Sequence, residues 1–282
     1  MRGRVAIASA ISSSRRLPYA RLALRSPACR SSLSVALRTE NLSRSFGALA
    51  AVSDVSFSLP QGARHALIGP NGAGKTTFIN LLAGVLQPSR GDVFIGEERV
   101  TALRQHRRVK LGLTRTFQIS QLFPNLTVLE SVMLAVLERN GNGARFIRDF
   151  AAFGAEADEA MSLLAQVGIA DEAGRRSSHL PYGQQRLLEI ALALATRPRI
   201  LLLDEPAAGI PSTQSVAVLG AIAALPKEVT VLFIEHDMSL VFRFAERITV
   251  LVGGKILTEG TPREIAADER VQAVYLGHER HD

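Results

Sequence analysis

The apolar positions of this chain follow two rhythms. Short, nearly unbroken apolar runs at His65–Ile68, Ile200–Leu203 and Val229–Ile234 predict strands buried on both faces. Ser34–Arg38 and Val52–Leu59 alternate and carry β-branched residues, which predicts strands followed by a Pro60-Gln61-Gly62 turn. Longer stretches with helical spacing predict helices at Phe78–Ala83 (stopped by Gly84 and Pro88), 126–139, 155–168, Tyr182–Thr196, Ser215–Leu225 and Met238–Ala245. The 126–139 and 155–168 helices are separated by the Asn140-Gly141-Asn142-Gly143 loop. Ile248–Leu251 and Lys255–Thr258 flank a Gly253-Gly254 hairpin turn, and Thr261–Ala267 predicts a helix with Pro262 in its first position. Buried strands alternating with helices predict an α/β domain with a mainly parallel sheet.

Composition narrows the picture. At 282 residues, 47% apolar and 21% charged, the chain is long enough for a large core and matches a globular average. No run approaches the roughly 18 consecutive apolar residues of a membrane span. A single cysteine, Cys29, excludes an internal disulfide framework and any zinc site built on several thiolates. The absence of Trp and the 5% aromatic content argue against a base-stacking nucleic-acid surface. The net charge of +7 is concentrated at one end: residues 1–32 hold seven arginines and no acidic residue, and the remaining 26 basic residues balance 26 acidic ones. A basic face on the folded domain, and with it a nucleic-acid partner, is therefore not expected. Residues 1–32 are read as a basic, disordered N-terminal extension, with a transit peptide or a misplaced start as the alternatives. Organised sequence begins near Leu33.

Chemistry enters with Gly69-Pro70-Asn71-Gly72-Ala73-Gly74-Lys75-Thr76, followed by Thr77. It fits G-x-x-x-x-G-K-[ST] in full, between a predicted strand and a predicted helix. The glycines let the loop curl so that backbone N–H groups point at phosphate oxygens, and the helix start adds partial positive charge. Lys75 is placed to reach the β- and γ-phosphates, and the Thr76 hydroxyl to ligate Mg²⁺. The run Ile200-Leu201-Leu202-Leu203-Asp204-Glu205 ends a buried strand in two carboxylates. Asp204 is a hard oxygen ligand for Mg²⁺, and Glu205 is placed to orient or deprotonate an attacking water. No N-K-x-D motif occurs, which favours ATP over GTP.

With Leu180-Pro181-Tyr182-Gly183-Gln184-Gln185-Arg186 upstream of the Asp204-Glu205 strand, the sequence resembles the ATP-binding cassette (ABC) family over residues 33–282. The resemblance implies a P-loop NTPase-type, mainly parallel sheet core with an antiparallel β subdomain and an inserted helical subdomain at about 119–182. It implies adenine stacking on Phe46, a Mg²⁺-contacting, partner-sensing Gln118, and a γ-phosphate-contacting His236. It also implies a head-to-tail pair of cassettes in which Tyr182, Gly183 and Gln184 of one cap the ATP of the other. Four segments resemble branched-chain (hydrophobic) amino acid importer ATPases: the signature itself, Asp204-Glu205-Pro206-Ala207-Ala208-Gly209, Ile234-Glu235-His236-Asp237-Met238 and Val274-Tyr275-Leu276-Gly277. The implied role is a peripheral ATPase at the cytoplasmic face of the inner membrane. Its implied partners are permease subunits, a second identical or paralogous cassette and, indirectly, a periplasmic solute-binding protein. A soluble ABC ATPase acting on ribosomes or DNA, and a non-hydrolysing nucleotide-binding module, are the competing readings.

Two prolines depart from the family pattern. Pro181 stands where most cassettes have the signature serine and lacks both hydroxyl and N–H. Pro211 occupies a position that is usually Asp or Asn. His65, His106, His179, His278 and His281 lack metal-ligand spacing, Gln105–Lys110 reads as a solvated charged loop, and Gly253-Gly254 as a plain hairpin.

Overall fold

The computed structural model describes residues 34–116, 122–143 and 153–276. Strands β1 (Val35–Phe46) and β2 (Leu49–Pro60) form a long antiparallel hairpin, joined by β4 (Arg90–Ile95) and the two-residue β5 (Glu98–Arg99) in a four-stranded sheet of order β2-β1-β4-β5. A six-stranded sheet of order β10-β9-β3-β8-β7-β6 forms the centre, from β3 (Arg64–Ile68), β6 (Leu113–Arg115), β7 (Ile200–Asp204), β8 (Thr230–Ile234), β9 (Arg247–Val252) and β10 (Lys255–Gly260). All its neighbouring pairs are parallel except β10 with β9.

Side chains alternate across a strand, and here that alternation sorts them into two cores. Ala66, Ile68, Leu201, Leu203, Val231 and Phe233 face one way, against α3 (Val128–Arg139), α4 (Gly154–Gln166), α5 (Tyr182–Ala195), α6 (Ser212–Ala223), α7 (Met238–Phe244), α8 (Pro262–Ala267) and α9 (Glu269–Leu276). Leu67, Ile200, Leu202, Leu232 and Ile234 face the other way. They pack with Phe78, Ile79, Leu81 and Leu82 of α1 (Lys75–Ala83) and with Leu37, Val55, Phe57 and Leu59 of the antiparallel sheet. The central sheet is thus covered on both faces, as a parallel sheet requires.

Several boundaries have visible local causes. Gly84 ends α1 in the left-handed region at φ +76°. Thr127 and Glu130 form a reciprocal capping box at the start of α3, as do Thr261 and Glu264 at α8, where Pro262 sits in the first turn as expected. Pro181 and Pro211, at φ −55° and −54°, occupy the N-cap positions of α5 and α6 without a side-chain cap.

The structure differs from the sequence reading at four places. Gln105–Lys110 is a helix, α2, and Arg108 within it is fully buried. Its guanidinium donates to the carbonyls of Leu81 and Leu82 at 2.7 Å, and of Thr101 and Leu103 at 3.0 Å, so this run is held by carbonyls rather than by water. Strand β1 extends to Phe46, bulging near Asn41, whose φ is +48°. Strands β4, β5 and β6 and helix α9 were not anticipated. The Gly253-Gly254 turn does more than link two strands: the Gly254 amide donates to Ala73 O at 3.0 Å and its carbonyl accepts from Ser53 at 2.8 Å. The N-terminal extension (1–32), Gly277, His278, His281 and Gln118 lie outside the described residues.

Candidate nucleotide site

The Gly69–Thr76 loop links the carboxyl end of β3 to the first turn of α1. Two of its glycines are required by close approach: a Cβ on Gly69 would lie 2.1 Å from Leu251 O, and one on Gly74 2.1 Å from Ala51 O. Gly74 is also the N-cap of α1, at φ +99° and with no side chain capping the helix, so no side chain neutralises the partial positive charge of the first turn, which favours an anion there. Lys75 is buried, and its ammonium donates to Gly69 O at 2.7 Å and Pro70 O at 3.0 Å. Burial lowers its pKa, and the charges of Glu205 and Asp204 oppose that shift. Thr76 is exposed on the same turn and Thr77 half-buried. Burial pushes the Tyr275 phenol of α9 up to about 12, with the Gly69 backbone as its polar neighbour.

Asp204, at the end of β7, is 2% exposed. Its Oδ2 accepts from Arg115 at 2.7 Å, and Arg115 also donates to Asn80. Asp204 Oδ1 is buried with no hydrogen-bond partner, an arrangement that costs free energy unless a ligand completes it. One such oxygen, with the Thr76 hydroxyl of the helix start, is the kind of donor set that suits Mg²⁺, which takes its other ligands from phosphates and waters rather than from an all-protein cage. Among the described residues there is no cluster of three or more His, Cys, Asp or Glu side chains of the kind that holds a metal unaided.

Glu205 has φ +50°, uncommon for a residue with a Cβ. The parallel register that pairs Asp204 with Ile234 sets the loops after β7 and β8 side by side, and Glu205 Oε1 lies 2.5 Å from His236 Nε2. His236 remains half-exposed while Glu205 is largely covered. Asp237 then caps α7 by accepting from the amides of Ser239 and Leu240. Glu235, on which sequence reasoning placed no role, is buried and accepts from the Ala207 amide at 2.8 Å. Burial raises its pKa, with the neighbouring Glu205 charge adding to the rise and the Ala207 and His236 amides opposing it. The one signal available in the sequence was a carboxylate directly continuing a buried strand.

The structure thus gathers Lys75, Asp204, Glu205 and His236 at the carboxyl ends of β3, β7 and β8, where open α/β sheets bind ligands. Phe46 is 44% exposed at the end of β1, opposite the exposed Leu49, with the Arg44 guanidinium 4.7 Å above its ring. Tyr182, at the start of α5, is 41% exposed and accepts from Arg186 at 2.7 Å. Gly183 is buried against Gln214, and Gln184 donates to Glu172 at 3.2 Å. No hydrogen bond or ion pair among the described residues joins Phe46, Tyr182, Gly183 or Gln184 to the phosphate loop.

Residues 52–208 match the family described as ABC transporter. The chain belongs to the ABC transporter family. Residues 255–281 of the cassette also match the family described as branched-chain amino acid ATP-binding cassette transporter. The cassette is similar to the high-affinity branched-chain amino acid transport ATP-binding protein BraF of Pseudomonas aeruginosa, with 40% identity covering 86% of this chain and 97% of that protein. Among solved structures it resembles the ADP conformation of the cassette MJ1267, with a TM-score of 0.76, 30% identity and coverage of 86% of this chain and 99% of that one. It also resembles the cassette MJ0796 in a dimeric post-hydrolysis state bound to ADP and Pi, with a TM-score of 0.66, 25% identity and coverage of 80% and 99%. The cassette is an ABC-type ATPase with the P-loop NTPase fold, and the comparisons favour transport over the ribosomal, DNA-directed and non-hydrolysing readings. No helix among the described residues is long and apolar enough to cross a membrane.

Proposed function

We propose that this cassette powers import of branched-chain amino acids or related small solutes, pairing head to tail with a second, identical or paralogous cassette beneath permease subunits. It works at the cytoplasmic face of the inner membrane, fed by a periplasmic solute-binding protein. The observation that carries the ATP-driven part of this reading is the contact of Glu205 with His236 beside the Lys75 loop, and the solute rests on the similarity of residues 255–281 to the branched-chain cassette family.

In this reading the loop amides of Gly69, Asn71, Gly72, Ala73 and Gly74 and the first turn at Thr76 and Thr77 hold the phosphates. Lys75 exchanges its two carbonyl partners for phosphate oxygens. Phe46 stacks on adenine. Thr76, Asp204 and Gln118 would hold Mg²⁺, which would offset the phosphate charge. Glu205 takes the proton of the attacking water, and His236 keeps that carboxylate oriented while reaching the γ-phosphate. The amides of Tyr182 and Gly183, with Gln184 behind them, cap the partner's nucleotide from the start of α5. Residues 119–182 serve as the helical subdomain that carries this cap, and residues 1–32 as an extension outside the cassette.

The test is vesicle uptake. Liposomes carrying the cassette and its permease subunits, with binding protein, are expected to accumulate labelled leucine only with Mg-ATP. Lys75→Ala is expected to abolish accumulation and weaken ATP binding by about 1.5–3 kcal/mol, the worth of a charged hydrogen bond. Uptake that persists in Lys75→Ala, or ATP affinity that does not change, rejects the reading.

Pro181 supplies a second check. At the N-cap of α5 it offers no hydroxyl and no N–H, so Pro181→Ser adds donors at the cap and a better helix start, each contributing about 1 kcal/mol. The variant is expected to form the ATP-bound dimer at lower protein concentration. An unchanged dimer population at saturating ATP removes this position from the interface.

A further inference from the structure

The turn from Glu205 to Gly209 follows β7 and is joined to the end of β8 by three ties. The Glu205 amide donates to Ile234 O at 3.1 Å, the Ala207 amide donates to Glu235 Oε1 at 2.8 Å, and Glu205 Oε1 meets His236 Nε2 at 2.5 Å. Successive residues of β8 and its exit therefore grip the same turn: a main-chain carbonyl, a buried carboxylate and an imidazole.

The middle tie is the unexpected one. Glu205 sits at φ +50°, a conformation that persists in a residue with a Cβ only where its surroundings over-determine it. The Ala208 amide closes the turn on Glu205 O at 3.0 Å, which leaves the Ala207 amide as the point where an outside group can hold the turn in place. A carboxylate buried to 5% exposure is a poor means of gaining stability alone, because desolvation opposes its charge. Its geometry instead suits orientation. Glu235 is covalently next to His236 and hydrogen-bonded two residues beyond Glu205, so a shift of either loop is passed to the other.

We propose that Glu235 is a positioning residue whose carboxylate, by holding the Ala207 amide, sets the Glu205 carboxylate against His236 for attack on the nucleotide. This rests on the reading of Glu205 as the water-activating group. Glu235 touches neither nucleotide nor water in this scheme; it acts through the turn.

The test compares Glu235→Ala with Glu235→Gln in the full chain with Mg-ATP. The glutamine keeps an acceptor oxygen for the Ala207 amide. Misplacement of a reacting group by a fraction of an ångström costs about tenfold or more in rate, so Glu235→Ala is expected to lose about that much kcat. Its KM, its ATP dissociation constant measured by calorimetry and its thermal midpoint are expected to stay close to wild type. Glu235→Gln is expected to recover most of the lost turnover. Wild-type kcat in Glu235→Ala overturns the proposal, and so does a loss that tracks weakened ATP binding or a lowered thermal midpoint. A glutamine variant as impaired as the alanine variant also overturns it. Glu205→Gln, measured alongside, separates the two readings. Undiminished turnover there defeats the role of Glu205, whereas an inactive Glu205→Gln beside an unimpaired Glu235→Ala defeats the role of Glu235 alone.

Discussion

Glu205→Gln is expected to bind ATP normally and to hydrolyse it at least about a hundredfold more slowly, the lower range for removing a general base. The geometry makes the substitution clean. The glutamine amide, which carries both an acceptor and a donor, can still hydrogen-bond His236 Nε2, which Oε1 meets at 2.5 Å, and the backbone amide that donates to Ile234 O is unaffected. Lys75 loses one of two nearby carboxylate charges but keeps Asp204, so the phosphate loop retains its cation. What disappears is the capacity to take a proton from water. With hydrolysis blocked and binding intact, any ATP-dependent pairing of cassettes accumulates, so the variant is expected to elute as a dimer with Mg-ATP and as a monomer without it. Steady-state phosphate release and size-exclusion chromatography are the two measurements. Undiminished phosphate release assigns the base elsewhere; a blocked enzyme that never pairs would rule out the head-to-tail arrangement.

The central sheet was legible because its strands obey a simple rule. Strands β3, β7 and β8 are buried at every position, and a run covered on both faces stays apolar through its middle, with polar residues (Arg64 and His65, Asp204, Thr230) only at its ends. The phosphate loop was legible because its glycines answer to hard sterics: Gly69 and Gly74 each approach a carbonyl too closely to carry a side chain. Short or mostly half-buried strands were not legible. In β4, Arg-Gly-Asp-Val-Phe-Ile, only Val93 is buried, and β6 is three residues long, so neither offers enough periods to detect. The same limit explains Glu235 and Arg115. Each is a charged side chain whose role lies in a distant partner, Ala207 in the turn after β7 for one and Asp204 at the end of β7 for the other. Local sequence shows the charge and not the partner. Thus the residues of the phosphate loop and the Asp204-Glu205 pair could be named from spacing, while Arg115 and Glu235, which contact Asp204 and the turn after Glu205, emerged only when neighbouring strands were set side by side.

Arg108 carries the largest expected effect on stability. The sequence around it, Gln-His-Arg-Arg-Val-Lys, is almost wholly polar, yet this guanidinium is fully buried beneath the end of α1. The last carbonyls of any helix lack intrahelical partners, and Leu81 and Leu82 occupy that position in α1. Arg108 donates to both, and to Thr101 and Leu103 as well. Burial lowers its pKa to about 10, which leaves it charged at neutral pH, a cation placed where the α1 dipole is negative. Glycine at position 84 is part of the same fit, since a Cβ there would lie 2.7 Å from Arg108 Nε. Arg108→Met keeps much of the side-chain volume and removes every donor; Leu81 O keeps the Gly84 amide at 3.3 Å, while the Leu82, Thr101 and Leu103 carbonyls lose the guanidinium at about 1–3 kcal/mol each before relaxation. The expected net loss is about 3–5 kcal/mol, enough to lower the thermal midpoint by on the order of 10 °C in a domain of this size. Arg108→Lys keeps the charge but offers three donors to four carbonyls, and is expected to fall between the two. Since α1 begins at Lys75, a loosened far end of this helix also weakens ATP binding, and saturating Mg-ATP is expected to restore part of the lost midpoint. Urea unfolding with and without nucleotide decides the matter. A methionine variant with the wild-type midpoint shows that these carbonyls find other partners and that the buried guanidinium is not what holds the end of α1.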